Sequence, residues 1–261
     1  MSHSQIGISM LYTLSEPFNQ MVKQLCKTPT QYVEVVDDGW HALNKKRVAT
    51  LNEVAKSYEL KFSVHAPFAD INIGSPNKTM LNASVKRLRQ SLNYARILNA
   101  YLWVLHPGGK SGISAFYPGA DWEQNAQSIR LLHKTAKEYG VTIAMENLPE
   151  KYGFLMKTPE DFQRFYEQTG FDDIGIVLDT GHANLEGQIL TFLQKLPKRI
   201  VHIHISDNHG ETDEHLGLGH GAIDWLQFAK KLKETSFSGT ALAESVYNVE
   251  ETVQRLQQLL A

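Results

Sequence analysis

Residues 201–224 read VHIHISDNHGETDEHLGLGHGAID, and the first few of them have the pattern of a β-strand. Val201, Ile203 and Ile205 alternate with His202 and His204, which puts the apolar side chains on one face and both imidazoles on the other. The strand gives way to a loop carrying Asp213, Glu214 and His215, then to Gly217, Gly219 and Gly221 ahead of a helix. Five carboxylates (Asp207, Glu211, Asp213, Glu214, Asp224) and five histidines (His202, His204, His209, His215, His220) fall in this stretch, with no Lys or Arg. Neutral imidazoles and carboxylate oxygens are the donors a divalent cation takes. Any one of them could equally be a surface group or a satisfied strand histidine, so the rest of the chain has to decide.

Runs like this one recur from end to end, at 5–10, 32–36, 61–65, 101–106, 141–146, 174–179, 200–205 and 240–244, with helix-period segments between them. Ser75-Pro76 stands before Leu81, Val85, Leu88, Leu92 and Ala95, spaced by three and four. Thr158-Pro159 with Asp161 repeats that start signal, and Asp121 is expected to cap a run through Ala126, Ile129 and Leu132. Val249, Val253, Leu256 and Leu260 mark the last helix. Eight strands alternating with helices imply a parallel sheet, and eight such units close into a barrel. A doubly wound open sheet would carry a glycine-rich phosphate turn after the first strand, where this chain has ISMLYTLSEPF. The expected fold is therefore α/β, one (β/α)8 barrel over residues 1–261, with no linker, repeat or low-complexity tract to mark a second domain.

Composition narrows the function classes. Hydrophobic residues make up 42% and charged residues 21%, enough for a full core. The formal net charge of −2 gives no global attraction to nucleic acid or anionic membrane. The single cysteine, Cys26, cannot form an internal disulfide, which suits a reducing compartment. No apolar run approaches the roughly 18 residues of a membrane span, and MSHSQIGISM lacks the basic and apolar regions of a signal peptide. A cytoplasmic protein without a membrane partner is expected.

The strands end in a telling way. From the second to the eighth they finish at or near Glu34, His65, His106, Glu146, Asp179, His204 and Glu244, and in a β/α barrel all those ends meet at one mouth, where chemistry is done. Alternation supports this: Val141, Ile143 and Met145 share one face, leaving Glu146 inward, while Tyr101, Trp103 and Leu105 leave Val104 and His106 inward. Barrel interiors are normally filled by Val, Ile and Leu, and a buried carboxylate needs a partner. A metal cluster at the mouth explains the pattern better than barrel filling does.

Together these residues carry a family resemblance. The segments HAPF (65–68), HPG (106–108), EN (146–147), DTGHA (179–183), HISD (204–207), DEHLGLGHG (213–221) and Glu244 resemble the xylose-isomerase-like barrel superfamily, which holds sugar isomerases and epimerases as well as endonuclease IV. For an isomerase, the resemblance implies one divalent metal (Mn, Zn, Mg or Co) on Glu146, Asp179, His204 and Glu244. The two glutamates then exchange a proton on opposite faces of a sugar. For an endonuclease it implies up to three zinc ions on nine residues, all of which have counterparts here: those four with His65, His106, His182, Asp213 and His215. Glu214 stands where that enzyme has Arg, Asn208 replaces a basic residue, and ENLPEKY replaces its Glu-Asn-Thr-Ala-Gly-Gln-Gly segment. DNA affinity rests largely on Lys and Arg, and an acidic loop without bases would repel a phosphate backbone.

With four carboxylates ionised, one divalent ion leaves the mouth at about −2, suited to a neutral polyol; three leave it at about +2, suited to a phosphate. The expectation is thus a metal-dependent sugar or sugar-phosphate isomerase or epimerase, with Glu146 and Glu244 catalytic and His182, Phe68 and His106 binding a small-molecule sugar. A phosphoester hydrolase with two or three zinc ions is the alternative. A barrel that binds sugar without turnover is disfavoured, because no group needed for chemistry is missing. His202 is expected one layer below the metal; Trp40, Phe116, Tyr117 and Trp122 are candidates to line a sugar pocket; His133 falls in a helix and is expected to be structural or exposed, and His3 and His41 carry no spacing signal.

Overall fold

The computed structural model describes residues 5–261, and His3 lies outside them. Eight parallel strands run β1 (Gln5–Ser9), β2 (Tyr32–Val36), β3 (Lys61–His65), β4 (Leu102–Leu105), β5 (Ile143–Glu146), β6 (Gly175–Asp179), β7 (Ile200–Ile205) and β8 (Thr240–Ala243). Each pairs with the next, and β8 pairs with β1 to close the barrel. Outside it lie α1 (Phe18–Leu25), α2 (Lys45–Tyr58), α3 (Lys78–Ile97), α4 (Ala120–Tyr139), α5 (Pro159–Thr169), α6 (Thr180–Leu185), α7 (Ile189–Lys195), α8 (Trp225–Glu234) and α9 (Val249–Leu260). The (β/α)8 expectation holds.

Period-two alternation sorts the strand side chains into two cores. Val33, Val35, Trp103, Leu105, Ile143, Met145, Ile176, Leu178, Ile203 and Ile205 face outward and pack with Leu88, Leu92, Ile129, Leu132, Phe162, Phe165 and Phe192 of the helices. Full burial of a side chain of this size is worth about 1.5–3 kcal/mol. The inward core is small: Leu102, Val104, Ala144 and Val177. Glu34, Ser63, His65, Glu146, Asp179, His202, His204 and Thr240 are also buried, and alternation turns them inward.

Two helix starts differ from the sequence reading. α3 is capped by Asn77, whose side chain accepts from the Thr79 and Met80 N–H groups, so Ser75-Pro76 lies in the preceding turn. α4 begins after Gly119 at φ +85°, and Asp121 sits in its first turn, accepting from Trp122 N–H; its charge still suits a helix N-terminus. Thr158 and Asp161 form the expected reciprocal cap of α5. No helix of the described residues is long and apolar enough to cross a membrane.

Candidate metal centre

The strand ends deliver the donors. His65, Glu146 and Asp179 are the last residues of β3, β5 and β6, His204 is next to last in β7, and His106 and Glu244 directly follow β4 and β8. Asp179 also caps α6: its Oδ1 accepts the His182 N–H at 2.6 Å, which is why the Asp-Thr-Gly-His spacing brings a second ring to the mouth. Asn147 clamps the same strand end, accepting the Asp179 N–H at 2.8 Å and donating to its carbonyl at 3.2 Å. Asp213 and His215 arrive from the loop after β7, with His215 held at φ +48°.

These nine side chains fall into three sets, each with donor atoms within 4.8 Å of one another: Glu146, Asp179, His204 and Glu244; His65, His106 and Glu146, which shares Glu146 with the first; and, separately, His182, Asp213 and His215. Glu146 joins them. Its Oε2 is 3.3 Å from both His65 Nε2 and His106 Nε2, and its Oε1 is 3.3 Å from His182 Nδ1. His204 Nδ1 is 2.9 Å from Glu244 Oε2, and Asp213 Oδ2 is 3.1 Å from the Nε2 atoms of His182 and His215.

The donor chemistry fits a divalent metal. His65, His182 and His215 each direct Nδ1 at a backbone carbonyl, of Ala66, Asn147 and Glu244, at 2.9, 2.9 and 3.1 Å. A carbonyl only accepts, so Nδ1 carries the proton and the neutral ring offers an Nε2 lone pair. Each Nε2 faces a carboxylate oxygen, so the position between them takes either a proton on the ring or, on the neutral ring, a bound cation. Burial alone would depress His65 and His215, but the facing Glu146 and Asp213 outweigh it and lift each to about 9. Burial pushes the Asp179 carboxyl up to about 7; His182 opposes this, while Glu146, Glu244 and Asp213 add to it. Glu146 Oε2, Asp179 Oδ2, Asp213 Oδ1 and His204 Nδ1 are buried without an aligned hydrogen-bond partner. These buried clusters could hold a metal.

Above the donors lies a cavity of about 200 Å³ walled by Leu11, Phe68, Leu148, Pro149, Tyr152 and Phe154, with no Lys or Arg in its lining. Phe68 was legible in the sequence; Leu11, Tyr152 and Phe154 were not, because they come from short turns without hydrophobic period. Trp40, Phe116 and Tyr117 lie exposed on the surface rather than in this wall, and Trp122 is buried, donating to Gln168. Of the remaining histidines, His202 lies one layer deeper, His209 and His220 pair with Glu214 and Glu251 on the surface, and His133 pairs with Asp173.

A family model described as "Xylose isomerase-like TIM barrel" matches residues 25–261. The chain belongs to that family. This xylose isomerase-like barrel is 31% identical over 253 residues to an uncharacterised protein of Methanocaldococcus jannaschii, covering 96% of this chain and 86% of the relative. It is 23% identical over 254 residues to a D-psicose 3-epimerase of Enterocloster bolteae (91% and 81% covered). With a probable endonuclease 4 of Aquifex aeolicus it shares 26% over 218 residues (76% and 75% covered). A solved structure, described as a D-tagatose 3-epimerase-like protein, superposes with a TM-score of 0.91 at 29% identity, covering 98% of this chain and 97% of the other.

Proposed function

We propose that this barrel is a divalent-metal-dependent epimerase or isomerase of a small, neutral sugar. The observation that carries the reading is the set of Glu146, Asp179, His204 and Glu244, two of them glutamates at the floor of a cavity whose lining has no Lys or Arg. An ion held there, Mn, Zn, Mg or Co by its N/O donors, supplies Lewis-acid polarisation of a substrate carbonyl and the hydroxyl beside it. Glu146 stays a carboxylate: burial works against this, but the facing rings of His204 and His106 hold its pKa well below the ordinary range. One glutamate takes the proton from the carbon next to the carbonyl; the other returns a proton to the opposite face and inverts that carbon. His182 and His106 hold substrate hydroxyls, and Phe68 packs against the ring or chain carbons. Relatives described as D-psicose 3-epimerase support this reading.

The test is deuterium wash-in. Metal-reconstituted protein incubated in D₂O with a panel of ketoses is expected to place deuterium at the carbon beside the carbonyl of at least one sugar, followed by NMR. Absence of exchange across the panel, in folded and metal-loaded protein, rejects the proposal. A second reading rests on the other two donor sets, which would complete a two- or three-zinc phosphoester hydrolase of the endonuclease kind. It requires two or three metals per chain and incision of an abasic-site oligonucleotide, whereas the epimerase requires one metal and leaves the oligonucleotide intact.

A further inference from the structure

Beneath the mouth lies a fourth cluster, Glu34, His202 and His204, whose donor atoms also come within 4.8 Å of one another and which shares only His204 with the sets above. Glu34 is in register with Ser63, one inward layer below His65, and is fully buried. Its Oε1 is 3.2 Å from His204 Nε2, and its Oε2 is 3.6 Å from His202 Nε2 and 3.0 Å from Ser63 Oγ, which donates to it. Tyr101 in turn donates its hydroxyl to Ser63 Oγ at 3.3 Å. The groups around Glu34 are thus hydroxyls and imidazoles, in a layer that other β/α barrels fill with Val, Ile and Leu. A buried carboxylate so placed costs several kcal/mol unless a cation answers it.

His204 connects this carboxylate to the metal centre. A neutral imidazole carries one proton, and its two nitrogens here have different surroundings. Nε2 faces Glu34; Nδ1 faces Glu244 Oε2 at 2.9 Å and Glu146 Oε1 at 3.5 Å. With the proton on Nε2, the positive N–H faces the Glu34 charge at 3.2 Å, close though not aligned as a hydrogen bond, and the Nδ1 lone pair turns into the Glu146–Asp179–Glu244 set. With the proton on Nδ1, that set loses a ligand and a lone pair confronts the Glu34 carboxylate.

We infer that Glu34 is a positioning residue of the metal centre, holding His204 as the Nε2–H tautomer and lending it negative charge so that Nδ1 serves as ligand. The inference rests on the metal-centre reading above and adds to it a residue that touches neither ion nor substrate. A carboxylate behind a metal-bound imidazole typically changes metal affinity by 10- to 100-fold. His202, edge-on to His204 with ring centroids 5.2 Å apart, fills the layer beside Glu34 without facing the donor set.

The test uses the full chain, stripped with chelator and titrated with Co²⁺, together with histidine ¹⁵N NMR of the zinc-loaded protein. Glu34→Gln keeps the shape and an acceptor oxygen but removes the charge, and is expected to weaken Co²⁺ binding about 10- to 100-fold. Glu34→Ala should weaken it at least as much and shift the Co²⁺ absorption bands. His202→Gln should stay within about threefold of the parent. The NMR spectrum should show His204 protonated on Nε2 in the parent protein. Parent-like Co²⁺ affinity in both Glu34 variants, or His204 protonated on Nδ1, overturns the positioning role while leaving the metal centre standing. A parent protein that binds neither Co²⁺ nor Zn²⁺ overturns both. Circular dichroism checks each variant, and if Glu34→Ala does not fold, the near-isosteric Glu34→Gln and the tautomer measurement decide.

Discussion

Glu146 is the residue on which the donor sets converge, with two oxygens placed against His65, His106, His182 and His204. Replacing it with Gln removes charge and proton-accepting capacity at nearly constant volume. Deuterium wash-in at saturating sugar and metal is expected to fall about 10²- to 10⁴-fold, the range for losing a general base. A variant that keeps a tenth or more of the parent rate contradicts the role. His41 illustrates a titration independent of the mouth. Its Nε2 donates to the Glu16 carbonyl at 2.9 Å, and its Nδ1 is buried without a partner. Burial, aided by the nearby Arg47 charge, lowers its pKa below the ordinary 6.5 even though the Glu16 carbonyl pulls the other way. The unfolded chain therefore takes up this proton first. The stability contribution is complete above pH ~6.5 and is lost as pH falls below it. Urea midpoints at pH 7.5 and 5.5 should drop more in the parent than in His41→Leu; equal drops would refute the assignment.

At the scale of elements, the loop between β7 and α8 is organised largely around Asp207, whose hydrogen bonds do not involve the candidate donors. Buried Asp207 accepts from the N–H groups of Asn208, Gly219 and Ile223 and from Trp225 Nε1. Gly221 packs so closely on it that a Cβ there would strike Asp207 Oδ1 and the Asn208 backbone. Gly221→Ala should cost about 1–3 kcal/mol by overpacking, read from urea unfolding. Gly112→Ala, where a Cβ meets nothing within 4 Å, is the control, and similar losses in both would dismiss the packing argument. The loop also shows what a sequence does and does not disclose. His204 and His202 were assigned to one face because strand alternation is strict, and the capping box at Thr158 because its hydrogen bonds are local. Glu34 was grouped with residues at or near strand ends, yet it lies a layer below His65, as the two further residues of the expected 32–36 run already implied. The start of α3 was placed early because Ser75-Pro76 imitates a cap that Asn77 performs. Tyr152 and Phe154 reach the cavity from a short turn after β5, where tertiary packing alone decides which side chains turn inward.

Over the whole molecule, the proposed centre ties together strands far apart in sequence, since its donors come from β3 and every later strand or the loop after it. An ion bound to the folded barrel but not to the unfolded chain stabilises the fold by mass action, about 4 kcal/mol at a thousand times its dissociation constant. For a chain of this size each kcal/mol moves Tm by roughly 2–4 °C, so chelation should lower Tm by roughly 10 °C and added Mn²⁺, Co²⁺ or Zn²⁺ should restore it. Asp179→Asn, which alters a four-donor ligand but keeps an oxygen to cap α6, should abolish most of that recovery. The shape of the recovery separates the two functional readings. A single Glu146–Asp179–His204–Glu244 site saturates at one equivalent of tightly bound metal. Filling the His65–His106 and His182–Asp213–His215 sets as well would carry the rise in Tm to two or three equivalents. Saturation at one equivalent leaves the mouth net negative and suited to a neutral sugar, whereas continued stabilisation to three would turn it positive and shift the argument to a phosphoester.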